Sequence, residues 1–154
     1  MRVSEIMTEA AVTDRPDDTL AEAAKKMWKQ QTGSLLVLEG EDLVGIVTER
    51  DVLKHVATGG PLQDARISDV MTRDVVSVGP GTSLREAARI MADRWFRHLP
   101  VMDGGRLVGI ISQRDLAGVL AGALNEPDAM QQLMESSELV RERRLKRIEH
   151  GAWD

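Results

Sequence analysis

Two constellations in this chain have the residue types and spacing for chemistry, and they are copies of each other. Thr48-Glu49-Arg50-Asp51 sets a hydroxyl three residues ahead of a carboxylate, and Ser112-Gln113-Arg114-Asp115 repeats the arrangement 64 residues later. The spacing is that of a helix capping box: the hydroxyl accepts from the amide three residues on, and the carboxylate reaches back. Thr19-Leu20-Ala21-Glu22 and Ser83-Leu84-Arg85-Glu86 have the same form, so the motif by itself requires no ligand. A helix head also presents unpaired amides and the positive end of its dipole, which suit an anion. Arg97-His98 adds a cationic pair whose counterpart 64 residues earlier is the neutral Gly33-Ser34. No nucleophile–base pair, phosphate-loop motif or dinucleotide glycine motif is present, so no enzyme is indicated. With no cysteine and only three histidines, a structural zinc site is not expected either.

The elements that must position these residues are duplicated as well. Ser4–Thr8 matches Ser68–Thr72 and Leu43–Asp51 matches Leu107–Asp115, with no gap between the first match and the last. In each copy an extended stretch (Ala11–Asp14, Val75–Val78) precedes a capped helix. The apolar residues of these helices fall at helical spacing: Leu20, Ala23, Ala24 and Met27, then Leu84, Ala87, Ala88 and Met91. Leu35–Leu38 and Leu43–Thr48, joined by the polar turn Glu39–Asp42, read as a hairpin, as do Leu99–Met102 and Leu107–Ser112 across Asp103–Arg106. A second helix follows each hairpin, over Glu49–Ala57 and Gln113–Leu124. The order strand, helix, strand, strand, helix, twice over, predicts an α+β fold with an α/β-like crossover. Repeats at 1–62 and 63–124 would pack about a pseudo-twofold axis and leave two related clefts, with a C-terminal helical tail at 125–154. A unit near 60 residues buries only about 60% of its unfolded surface, so the two are expected to stabilise each other.

Composition is that of a soluble globular chain: 42% apolar, 29% charged, net charge −5. The charge argues against wholesale nucleic-acid binding. No apolar run is long enough for a membrane span and no leader is evident, so a cytoplasmic location is expected.

The residues resemble a cystathionine β-synthase (CBS) domain pair, often called a Bateman module, over roughly residues 1–120. The second copy carries the resemblance most clearly, through Asp69-Val70-Met71-Thr72, Val75-Val76-Ser77-Val78, Arg97-His98-Leu99-Pro100-Val101 and Gly109-Ile110-Ile111-Ser112-Gln113-Arg114-Asp115 in order. The resemblance implies a regulatory, non-catalytic module that takes adenosine-containing ligands (AMP, ADP, ATP, S-adenosylmethionine) in its clefts and requires no cofactor. It implies that Asp51 and Asp115 accept from ribose hydroxyls, with Thr48 and Ser112 near ribose and phosphate. Thr13 and Ser77 would lie along the nucleoside, and Met7, Met71, Leu36 and Pro100 would line the adenine slot. Arg97 and His98 would meet phosphate, so one cleft should prefer phosphorylated ligands and the other be weaker or indifferent. The bland alternatives are a plain cap for the boxes, a surface role for Arg50 and Arg114, and aromatic core or interface packing for Trp28 and Trp95.

The partners implied are an adenine nucleotide or related adenosyl ligand, a second copy of the chain, and an unidentified protein target. Homodimerisation is expected through the small-residue stripes Ala23-Ala24-Met27 and Ala87-Ala88-Met91. The competing readings are a ligand-free scaffold, or a nucleic-acid contact through the basic run Arg141–Arg147 of the tail. That run reads more simply as the charged face of a helix whose stripe is Met130, Leu133, Met134, Val140, Leu145 and Ile148.

Overall fold

The computed structural model describes residues 1–9 and 11–123; the expected tail from residue 125 lies outside them. A 3-10 turn at Val3–Glu5 is followed by β1 (Thr13–Asp14), α1 (Leu20–Gln30), β2 (Ser34–Glu39), β3 (Asp42–Thr48), α2 (Glu49–Ala57) and α3 (Ile67–Val70). Then come α4 (Leu84–Arg94), β4 (His98–Asp103), β5 (Arg106–Ser112) and α5 (Gln113–Ala123). This is the mixed α+β architecture with two repeats. Among the described residues no helix is long and apolar enough to cross a membrane.

Local chemistry sets most of these limits. At α1 the Thr19 hydroxyl accepts from the Glu22 amide (3.2 Å) and the Glu22 carboxylate accepts from the Thr19 amide (3.1 Å). At α4 the box closes on one side: Ser83 accepts from the Glu86 amide (3.2 Å), without the return bond. Both helices end on a residue in the left-handed region, Gln31 (φ 53°) and Trp95 (φ 58°), whose amides close on the last turn. The hairpins pair Ser34↔Thr48 through Glu39↔Asp42 and His98↔Ser112 through Asp103↔Arg106. Their turns are tighter than expected, two residues each. Gly40, Gly104 and Gly105 carry the positive φ that such turns demand. Each hairpin also has a bulge at the same place, beside Val44 and Val108.

The extended stretches ahead of the first helices come out shorter than the sequence suggests. In the first copy β1 pairs parallel with β2 through Thr13↔Leu36 and Asp14↔Val37. In the second, Val75–Val78 contributes only the bridge Val78↔Val101.

The two cores do not follow the linear halves of the chain. Leu20, Ala23, Met27, Leu35, Val37 and Val47 close over Ala65, Ile67 and Met71 from the start of the second copy. Val78, Ala87, Met91, Leu99, Val101 and Ile111 close over Val3, Ile6 and Met7 from the start of the first. Backbone bonds seat both exchanged segments. Thr8 and Ile110 exchange bonds at 2.9 Å each, and Thr72 and Ile46 do so at 2.9 and 3.0 Å. Each repeat thus finishes the core of the other, which is why neither needs to be stable alone.

One expectation about surface is overturned here. Ala23, Met27, Ala87 and Met91 are buried in these cores and only Ala24 and Ala88 of the stripes are half-buried, so the methionines expected to drive the dimer are not available to it. The helical spacing that placed them together is the spacing of an inward face. Among the described residues the large apolar side chains left exposed are Trp28, Leu53, Val56 and Leu120, besides Met1.

Candidate functional site

Each cleft is built from the strand ends of one repeat and a helix head of the other. At the head of α5 lies a cavity of about 690 Å³, where Ser112 and Asp115 face Thr8, Val12, Gly33 and Ser34 from the first copy. At the head of α2 lies a smaller one of about 220 Å³, where Thr48 and Asp51 face Thr72, Val76, His98 and Pro100 from the second. The exchange of leading segments produces this arrangement, because it carries Thr8 to β5 and Thr72 to β3.

The capping boxes form as the spacing requires, with one consequence for binding. Asp51 Oδ2 accepts from the Thr48 amide (2.7 Å) and hydroxyl (2.8 Å). Asp115 Oδ2 accepts from the Ser112 amide and hydroxyl at 2.7 Å each. In both, the cap occupies a single carboxylate oxygen, and Oδ1 accepts no hydrogen bond among the described residues. Capping and ligand recognition are therefore compatible within one side chain, since an ionised carboxylate offers about four acceptor positions. Both aspartates are half-buried, with the helix amino end adding its positive field.

The expected site residues divide. Thr48, Asp51, Arg97, His98 and Pro100 meet at the α2 cleft, and Ser112, Asp115, Arg97 and His98 at the α5 cleft. Met7, Thr13, Leu36, Met71 and Ser77 line neither cavity. Met71 and Leu36 are buried, and Met71 and Met7 pack against Gly45 and Gly109. Thr13 is a β1 residue whose carbonyl accepts from Lys26 Nζ (3.0 Å), and Ser77 is exposed.

The cationic edge is not confined to one cleft. Arg97 and His98, at the entry to β4, line both cavities. Arg97 Nη2 lies 3.4 Å from Glu49 Oε2, both exposed, an arrangement worth about 0–1 kcal/mol. The His98 pKa is held below its ordinary 6.5, first by desolvation and then by Arg97, while Glu49 and Asp115 pull the other way. Its neutral form therefore dominates at pH 7.

Several lining residues were not singled out by sequence reasoning. Thr8 and Thr72 were visible within the repeated motif, and their shared role follows from the exchange. Ser34, a buried residue of the α5 cleft lining, has a hydroxyl with no hydrogen-bond partner. Glu49 was legible only as a difference, since its counterpart is the neutral Gln113. Trp28 is 80% exposed at the lip of the α5 cleft rather than packed in a core, whereas Trp95 is half-buried beside Phe96 in the α2 cleft.

Comparison with known proteins agrees with this fold. Residues 3–58 and 67–122 each match the CBS domain family. An uncharacterized 17.7 kDa protein of Acidianus ambivalens is 41% identical over 121 residues, covering 77% of this chain and 73% of its own. The solved structure of a protein with CBS domains from Burkholderia ambifaria MC40-6 superposes with a TM-score of 0.76 at 35% identity, covering 78% of this chain and 93% of that one. The CBS domain pair of protein MJ0100, solved in complex with 5-methylthioadenosine and S-adenosyl-L-methionine, superposes with a TM-score of 0.74 at 26% identity, covering 80% and 98%. The chain belongs to the CBS domain family and carries two CBS domains in tandem.

Proposed function

We propose that the chain is a regulatory, non-catalytic module that binds an adenosine-containing ligand in one or both clefts and passes its occupancy to a protein partner in the cytoplasm. The observation that carries this is the duplicated cap: twice, a helix head offers a cavity one carboxylate oxygen left over from capping. A diol such as ribose presents two donors to that oxygen and its lone pairs, and a phosphate would meet the amides and dipole of the same helix end. The complex of the MJ0100 pair with two adenosyl compounds supports the ligand class. Homodimerisation belongs to the same reading, through the exposed Trp28, Leu53 and Val56 of α1 and α2.

The test is calorimetry with AMP, ADP, ATP, S-adenosylmethionine and adenosine on the wild type and on Asp115→Ala, with sedimentation of the same samples. Loss of a cap costs about 0.5–2 kcal/mol of stability, so the variant should remain folded yet bind at least tenfold more weakly in the α5 cleft. A folded variant that binds as tightly as wild type reduces Asp115 to a cap, and a monomer at micromolar concentration removes the dimer.

A further inference from the structure

Arg97 belongs to the lining of both clefts, and its present partner is Glu49, which lines only the α5 cleft. The pair is loosely held, because both side chains are exposed. Gly33 makes room for it: a Cβ there would stand 3.2 Å from both Glu49 Oε2 and His98 Cε1. The α2 cleft sets Arg50, Arg94 and Arg97 against Asp51 and Asp74. The α5 cleft sets Arg97 and Arg114 against Glu49 and Asp115. Without Arg97 the α5 cleft would hold one arginine against two carboxylates.

We propose that Arg97 couples the two clefts: a phosphate-bearing adenosyl ligand in the α2 cleft draws the guanidinium off Glu49, and the bared carboxylate turns the α5 cleft against a second phosphate. This rests on the adenosyl reading above and adds its regulation. The first phosphate goes to the α2 cleft, where cations outnumber carboxylates. There a guanidinium makes paired, charge-assisted bonds that outcompete one exposed carboxylate. The α5 cleft is left suited to an adenosyl compound whose tail is uncharged or cationic, so one chain would report two chemically different ligands at once. Because coupling between sites is reciprocal, a phosphate forced into the α5 cleft would weaken the α2 cleft equally.

Calorimetry of the full chain with AMP and with adenosine tests this. Wild type should bind two AMP with affinities at least tenfold apart. Glu49→Gln, which keeps size and removes charge, should narrow the gap to about threefold by tightening the second AMP. Arg97→Gln should weaken the first AMP tenfold or more and narrow the gap from the other side. Adenosine titrated into protein without AMP should bind the α5 cleft as well in Glu49→Gln as in wild type. Two equal AMP sites in the wild type, or a gap untouched by both substitutions, overturns the coupling and leaves the adenosyl reading standing. If neither ligand binds, both fall together.

Discussion

At the scale of single residues, comparing the copies isolates one half-buried ion pair. Asp14 and Lys26 form an ion pair where the second copy has Val78 and Ile90. Asp14 is buried and its Oδ2 has no partner. Desolvation raises its pKa, and the Lys26 hydrogen bond and charge only partly offset that. Buried pairs of this kind are often matched or bettered by apolar residues, while removal of one partner is costly. Lys26→Ile should therefore cost about 3 kcal/mol, some of it relieved by proton uptake at Asp14. The double change Asp14→Val with Lys26→Ile should recover wild-type stability or exceed it, as urea unfolding would show; a double variant as damaged as the single would refute this. His98 supplies a pH signature. Its folded pKa lies below the 6.5 of the unfolded chain, so the unfolded state takes up the proton first as pH falls. The contribution is whole above about pH 6.5 and declines below it. His98→Gln should flatten the loss of stability between pH 7.5 and 5.5, measured as the urea midpoint. Arg97, Arg114, Glu49 and Asp115 are the charged groups that act on His98.

At the scale of elements, the exchanged segments depend on two glycines at one offset. A Cβ on Gly109 would meet the Thr8 carbonyl oxygen at 2.8 Å and Met7 Sδ at 3.0 Å. A Cβ on Gly45 would collide with the Met71 side chain, which has rotamers to retreat into. Overpacking costs about 1–3 kcal/mol. Gly109→Ala should fall near the top of that range because backbone must move, and Gly45→Ala nearer the bottom. Thermal unfolding of the two variants checks the order, and the reverse order would refute it. The hairpins, by contrast, were legible in the sequence. Runs of β-formers on either side of Gly40 and Gly104-Gly105 leave few other local structures. The stretches before the first helices were legible as extended, but not their shortness or their partners, since the pairing of Thr13, Asp14 and Val78 rests on distant neighbours.

At the scale of the whole molecule, the exchange makes the two repeats interdependent. If the linear halves folded separately, removing residues 1–9 would loosen β2 and β3. The cores predict the opposite, because Val3, Ile6 and Met7 belong with β4 and β5. Hydrogen exchange on a chain lacking residues 1–9 should lose protection in Leu99–Met102 and Leu107–Ile111 first. Protection lost first in β2 and β3 would refute the exchange. The deletion also removes Thr8 from the α5 cleft, so the interlock that stabilises the fold also completes a binding surface.

The sequence alone determined what depends on near neighbours. Capping boxes at Thr19, Thr48 and Ser112, the α2 boundaries, the hairpins and the duplication itself each follow from interactions spanning a few residues, or from direct repetition. Asp51 and Asp115 were legible as candidates for the same reason. Tertiary structure alone decided which segment completes which core, that Met7, Leu36 and Met71 line neither cavity, and that Trp28 faces solvent. It also decided that Arg97 lines two cavities and meets a carboxylate 48 residues away in sequence. Helical and strand periodicity assign a side chain to a face of its own element, but not to what that face meets. The meeting is settled by long-range packing, in which every buried apolar surface must find a partner at once.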